Sequence, residues 1–338
     1  MLTGTALLCA LAVAPATTFA AMSRERADAV TSALNRGRAD ETLQLLDVAL
    51  KGDPNDAQAL NLQCRVFYAE ERWDDAIAAC SRAVQIDGKN SSYHMWLGRA
   101  YGGRAQHVAL ITAYKLAKLI RLEFEAAANL DPKNGEALSD LGEFYAEAPG
   151  LVGGGFDKAE GVAKQLDGFA PVRAFELRAQ IAEGNKDYVT AEKLLRAKIS
   201  ASHSSAQSWM DLGSFYLRRE LWDDMLGSVE TGAGADHDHG PPLADGAATL
   251  VKARREPKLA IAWMRAYLAS DALSEEAPAF VVHVRLGTLL NQQGDPNGAQ
   301  KEFAAARALA KDYAGLQAAE RAAQLRTEGK GAERALGR

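Results

Sequence analysis

The sequence predicts an all-α protein built as an array of one repeated helical unit, and three observations carry that prediction. A large residue, then leucine, glycine and an aromatic recur at offsets of three, four and seven. The frame reads Trp209-Leu212-Gly213-Tyr216, His94-Leu97-Gly98-Tyr101, Leu138-Leu141-Gly142-Tyr145 and, more loosely, His283-Leu286-Gly287-Leu290. Equivalent positions return after 34 residues, as from Cys64 to Gly98 and from Ala179 to Gly213. Turn-forming runs such as Gly52-Asp53-Pro54-Asn55 and Asp131-Pro132-Lys133-Asn134 then close the units. Proline stops a helix there because it lacks a donor and restricts the residue before it.

Within a unit the frame residues fall on one face of a first helix, the side that packs. A second helix alternates small and large residues, as in Ala76, Cys80 and Ala83 or Ala299, Phe303 and Ala306. Glycine or alanine at the eighth position lets the two helices approach closely, and the aromatic fills the gap toward the next unit. At this point the chain resembles the tetratricopeptide repeat family, whose pattern of Trp, Leu-Gly, Tyr, Ala, Phe, Ala and Pro these residues follow. Units match over 57–90, 91–134, 135–168, 172–205, 206–236 and 280–313. The resemblance implies a right-handed α-solenoid of about seven to eight helix pairs, with a concave groove lined by first helices and a C-terminal capping helix.

The chain then divides into a partial first repeat at 22–56, the array at 57–236, a His/Asp/Pro loop with a degenerate repeat at 237–279, a last repeat at 280–313, and a capping helix and tail at 314–338. Two irregularities interrupt the array. Gly98 and Gly142 are 44 residues apart, ten more than the repeat. The extra residues fall in 103–121, which predicts a second helix protruding by roughly 15 Å. Lys115, Lys118 and Arg121 recur on it at threes, opposite Ile111, Leu119 and Leu122. The second irregularity is a glycine-rich loop at 148–156, after which Asp157 is placed to cap the following helix.

Composition narrows the partners. With 338 residues, 48% of them hydrophobic, the chain can bury a large core. A formal net charge of -5 and a pI near 5.8 argue against nucleic acid, since phosphate binding needs a basic face. Residues 1–21 carry no charged side chain, and an apolar run ends in small residues with Thr18-Phe19-Ala20 before the expected cut. That outline predicts a signal peptide and an exported protein, periplasmic or extracellular; the alternative is an apolar first helix in a cytoplasmic protein. In an exported protein Cys64 and Cys80, on the inner faces of one helix pair, would form a disulfide; two buried thiols are the alternative reading.

No cofactor or metal site is predicted. His237 and His239 share a flexible acidic loop without a third histidine, and Gly153–Gly155 lacks the Lys-Ser/Thr of a phosphate-binding loop. His94 and His283 occupy a core position of the repeat, and no nucleophile, base and acid can be assembled, so the chain reads as non-catalytic. By the family's groove positions, the partner-binding residues are Asn61, Arg65, Tyr68, Met95, Arg99 and Glu143, with Arg65 and Arg99 able to attract an anionic segment. The expected function is a scaffold for a protein or peptide in the cell envelope or periplasm. The alternative is a peripheral membrane or envelope-assembly component that uses the basic face of the helix over 104–125.

Overall fold

The computed structural model describes residues 24–335, with side chains described from 25 to 326; the predicted signal peptide lies outside the described residues. Seventeen α-helices and one short 3-10 turn are present among them. Eight antiparallel pairs follow in order. They are α1 (Arg24–Asn35) with α2 (Ala39–Gly52), α3 (Ala57–Ala69) with α4 (Trp73–Ile86), α5 (Ser91–Ala105) with α6 (Leu110–Leu130), and α7 (Gly135–Glu147) with α8 (Phe156–Asp167). The second half holds α9 (Pro171–Gly184) with α10 (Tyr188–Ala201), α11 (Ala206–Arg218) with α12 (Trp222–Ala235), α13 (Pro241–Ala253) with α14 (Pro257–Leu268), and α15 (Ala279–Gln292) with α16 (Pro296–Leu309). A single helix, α17 (Ala314–Ala335), follows. The region read as degenerate is therefore a complete pair: α13 buries Leu243, Ala244, Ala247 and Leu250 on one face without keeping the Leu-Gly signature. The last helix takes up most of the 314–338 segment read as a capping helix and tail.

Helix starts and stops follow local chemistry. Carboxylate, amide or hydroxyl oxygens of Asp56, Asn134 and Ser205 accept hydrogen bonds from the backbone N–H groups of Ala59, Ala137 and Ser208, capping α3, α7 and α11. First helices end in a left-handed residue at Gly37, Glu71, Lys186, Glu220 and Gly294. The next amide then reaches back five residues, as from Arg72 to the Phe67 carbonyl (2.9 Å) and from Leu221 to Tyr216 (3.0 Å). This recurring turn satisfies the last carbonyls and reverses the chain into the second helix. Asp157 is not the cap of α8; that position belongs to Gly155, and Asp157 sits in the first turn, where its charge favours the helix dipole.

The frame glycines do what their spacing suggests, with one exception. A methyl group added at Gly98, Gly213 or Gly287 would meet Phe124, Val229 or Phe303 of the same pair's second helix within 2.4–2.7 Å. At Gly142 the close neighbour is instead Leu177 of α9, the first helix of the next pair. Within that loop the amides of Gly153, Gly154 and Gly155 donate to the carbonyls of Gly150, Pro149 and Tyr145. They are spent on the turn.

The array does not stay open. Val30, Leu34, Leu46 and Val66 of the first two pairs share one core with Tyr267, Phe280, Phe303 and Leu316 of the last units. Gly37 packs directly on the start of α15, the Lys311 amide donates to the Asp40 carboxylate (3.2 Å), and the Tyr313 hydroxyl donates to Glu71 (3.4 Å). The Ala314 amide reaches the Glu70 carbonyl. The eight pairs thus curl until the first meets the eighth.

Two glycine substitutions separate this seam from its turn geometry. Gly37 and Gly294 both have positive φ, but an added methyl at Gly37 would lie 2.5 Å from the Ala279 nitrogen, whereas Gly294 faces open space. Gly294→Ala should lose about 1 kcal/mol of stability from backbone strain alone. Gly37→Ala should lower the melting temperature by clearly more and enlarge the radius of gyration in small-angle scattering. Equal effects of the two changes would contradict a packed seam.

Candidate functional site

Closure turns the expected groove into a recess of about 530 Å³ between the two ends of the array. Its wall begins with α3, whose Arg65 and Tyr68 project inward three residues apart, one helical turn. Trp73, at the start of α4, and Trp96, on α5, stand against Tyr68 edge-to-face at 5.4 and 5.7 Å. His107 continues the row by stacking on Trp73 at 5.6 Å. Edge-to-face contacts of this kind favour one relative orientation of the rings, so the apolar wall is ordered by its own side chains. Opposite it, α15 and the segment before it contribute Glu275, Glu276, Pro278, Val281 and Arg285.

Charges in the recess are largely answered by the protein itself. The Arg65 guanidinium lies 5.2 Å from the Trp96 ring centre and forms a two-point ion pair with Glu275, across the seam. Arg99 covers the same ring at 4.8 Å and donates to both Asp140 oxygens, at 2.6 and 3.2 Å. The two arginines singled out in the sequence are therefore neutralised within the fold. Arg173 and Arg285 also line the recess and form no salt bridge among the described residues, although their charges act on Asp140 and Asp245; Arg173 donates to the Ser139 hydroxyl at 3.3 Å. These two guanidiniums share the recess with the carboxylates of Glu136 and Glu276.

The remaining expected groove residues divide. Tyr68 lines the recess. Met95 does not: it is 3% exposed and packs against Ala127, Ala137 and Trp96, because its position turns toward α6 and α7. Asn61 is also buried, and its Nδ2 has no hydrogen-bond partner among the described residues. Glu143 of α7 is not among the residues lining the recess; it keeps exposed surface although protein crowds its carboxyl. Desolvation by the enclosing protein, and then Glu147, Asp140 and Glu176, raise its pKa to about 7. Trp73, Trp96, Arg173, Glu275 and Arg285 were not foreseen. Trp96 neighbours a groove position and could have been found there, but the α15 contribution depends on closure.

Cys64 and Cys80 face each other between α3 and α4 with Cα atoms 5.3 Å apart, inside the range a disulfide requires. His94 and His283 use Nδ1 to contact Glu123 and Glu302 on the second helix of their own pairs, at 2.6 and 2.7 Å. Beside His237 and His239, the Asp236 carboxylate accepts from the Gly240 and Leu243 amides, both at 3.1 Å, and so fastens the start of α13. No group of three or more metal-ligating side chains occurs among the described residues. On α6 the arrangement differs from expectation. Lys115 and Lys118 share a stripe with Ile111 and Leu122, at steps of four, three and four, while Arg121 turns inward toward Glu125 and Gly153.

Behind the recess, Glu70 is fully buried at the seam. Burial pushes its pKa up to about 7, Arg72 opposes that rise through an ion pair at 3.3 Å, and Asp40 and Asp312 reinforce it.

The family model described as tetratricopeptide repeat matches residues 33–100. Superkiller complex protein 3 of Mus musculus is 24% identical over 261 residues, 73% of this chain. The chain covers only 14% of that relative's length. Among solved structures, a tetratricopeptide repeat protein of Parabacteroides merdae is similar over 89% of this chain and 98% of its own, at 13% identity and a TM-score of 0.45. A thermophilic protein of the same type from Thermus thermophilus is similar over 72% of this chain and 97% of its own, at 18% identity and a TM-score of 0.41.

Glu70 generates a pH prediction. Its pKa is raised on folding, so the native state binds the extra proton between about pH 4.5, the ordinary value, and about pH 7. The corresponding stability is complete below that window and is lost as pH rises through it. Melting temperatures measured from pH 4.5 to 8 should show this decline, and Glu70→Gln, permanently neutral, should make it shallower, leaving the part that Glu143 contributes over the same range. An unchanged slope in the variant would remove Glu70 as the cause.

Proposed function

We propose, from the premise that this chain is a tetratricopeptide repeat protein, that it is a non-catalytic scaffold holding a segment of a protein or peptide partner in the central recess. Proteins of this family generally act as interaction scaffolds. One observation carries the reading: the ordered row of Trp96, Tyr68 and Trp73 faces Arg173 and Arg285 across a single cavity. An aromatic or aliphatic side chain of the partner would pack against the rings, and an acidic neighbour would meet the two guanidiniums. Arg65 and Arg99 serve the wall by fixing Trp96.

The setting we propose is the cell envelope or periplasm, reached through residues 1–21 as a cleaved leader. The apposed Cys64 and Cys80 support it, because a disulfide closing that helix pair persists in an oxidising compartment and would add about 3 kcal/mol of stability.

Site-specific photocrosslinking tests the recess. A photoreactive residue at Tyr68 should capture a discrete partner, and Arg173→Glu with Arg285→Glu should sharply reduce its yield. The same probe at Val189, 82% exposed on α10, should capture none. Capture at Val189 and not at Tyr68 would move binding to the convex face. Thiol titration of denatured, unreduced protein tests the setting: no free thiols are expected, and free Cys64 and Cys80 would contradict an oxidised pair.

A further inference from the structure

We infer that the projecting first half of α6 lies against an anionic phospholipid surface. The helix has 21 residues, against 14 in α2, α4, α10, α12 and α16, so about 10 Å of it extends beyond the stack. Its core contacts begin only at Ile120, followed by Phe124, Ala127 and Ala128. The preceding turns are covered on one side only, where Ala113, Tyr114, Leu116 and Ala117 are half-buried; on the other, Leu110 is 87% exposed, Ile111 73% and, further along, Leu122 51%. Leu151, on the short turn packed beside α6, is 79% exposed.

Charge selects the occupant. From Leu110 to Leu122 the chain carries Lys115, Lys118 and Arg121 and no acidic residue, although the whole protein has a net charge of -5. Lys118 rests over the Tyr114 ring at 4.5 Å, and neither lysine has a carboxylate partner among the described residues. Ile111, Lys115, Lys118 and Leu122 form one outward stripe, so apolar and cationic groups face the same way. Water solvates the lysines but gains nothing from the aliphatic groups, and a purely acidic groove would answer the charges alone. The boundary between headgroups and acyl chains answers both: the aliphatic tips enter, and the lysine stems lie along the surface with their ammonium groups at phosphate. No described helix is long and apolar enough to cross a membrane, and α6 keeps its opposite side in the protein core, so the contact is lateral.

Flotation of the full chain with phosphatidylcholine vesicles, with and without phosphatidylserine, tests the assignment. Binding is expected only with phosphatidylserine and should fall as salt rises. Lys115→Gln with Lys118→Gln should lower partitioning by about thirtyfold, as for two juxtamembrane lysines. Leu110→Ser with Ile111→Ser should also weaken it, whereas Val189→Ser should not. All these positions are exposed, so unchanged melting temperatures keep the comparison valid. Absence of flotation at low salt, or undiminished binding by the lysine variant, would overturn the proposal. So would a dimer in light scattering that Leu110→Ser with Ile111→Ser dissolves, which would assign the face to a second copy.

Discussion

The seam between the first and last helix pairs is the constraint on which the site depends. An open array leaves an apolar face at each end, and terminal units must cover it with polar or capping elements. Here much of that surface is covered by the other end of the same chain, through a core shared by Val30, Leu34 and Leu46 with Phe280, Phe303 and Leu316. The Arg65–Glu275 pair and the contact of Gly37 with Ala279 then fix the two ends in register. Without the seam, α3 and α15 would not face one cavity, and Tyr68 and Arg285 would belong to separate surfaces.

The seam also explains a polar feature that a stability argument alone would not select. Glu70 is buried where Asp40 and Asp312 approach from two other elements, so its charged form is disfavoured, and Arg72 only partly offsets this. Hydrophobic burial supplies the closing force, while hydrogen bonds from Lys311, Tyr313 and Ala314 specify which residues meet.

Local chemistry made most of the fold legible in the sequence. Frame residues such as Leu97 and Leu212 are buried, and Gly98 and Gly213 allow the close helix contacts that their spacing implies. The pair α13–α14 was harder to read because Gly246 and its neighbours bury the same face without a Leu-Gly step. The site was only half legible. Arg65, Tyr68 and Arg99 could be placed on an inner wall by position within the unit. Their partners Glu275 and Asp140 could not, since one lies 210 residues away and is reached only through accumulated curvature. Met95 shows the opposite error: the roughly 100° between neighbouring residues of a helix separates a wall residue from a core residue, and the packing of α6 and α7 decides which it is.

Open arrays of this kind tolerate gain or loss of a unit, because each pair touches only its neighbours. A ring removes that freedom. Inserting or deleting one pair would rotate α15 away from Gly37 and unmatch every contact across the junction at once. The number of pairs between α1 and α16 is therefore as constrained as any buried residue, and change is accommodated by stretching individual helices and loops, as in α6 and the 148–156 segment.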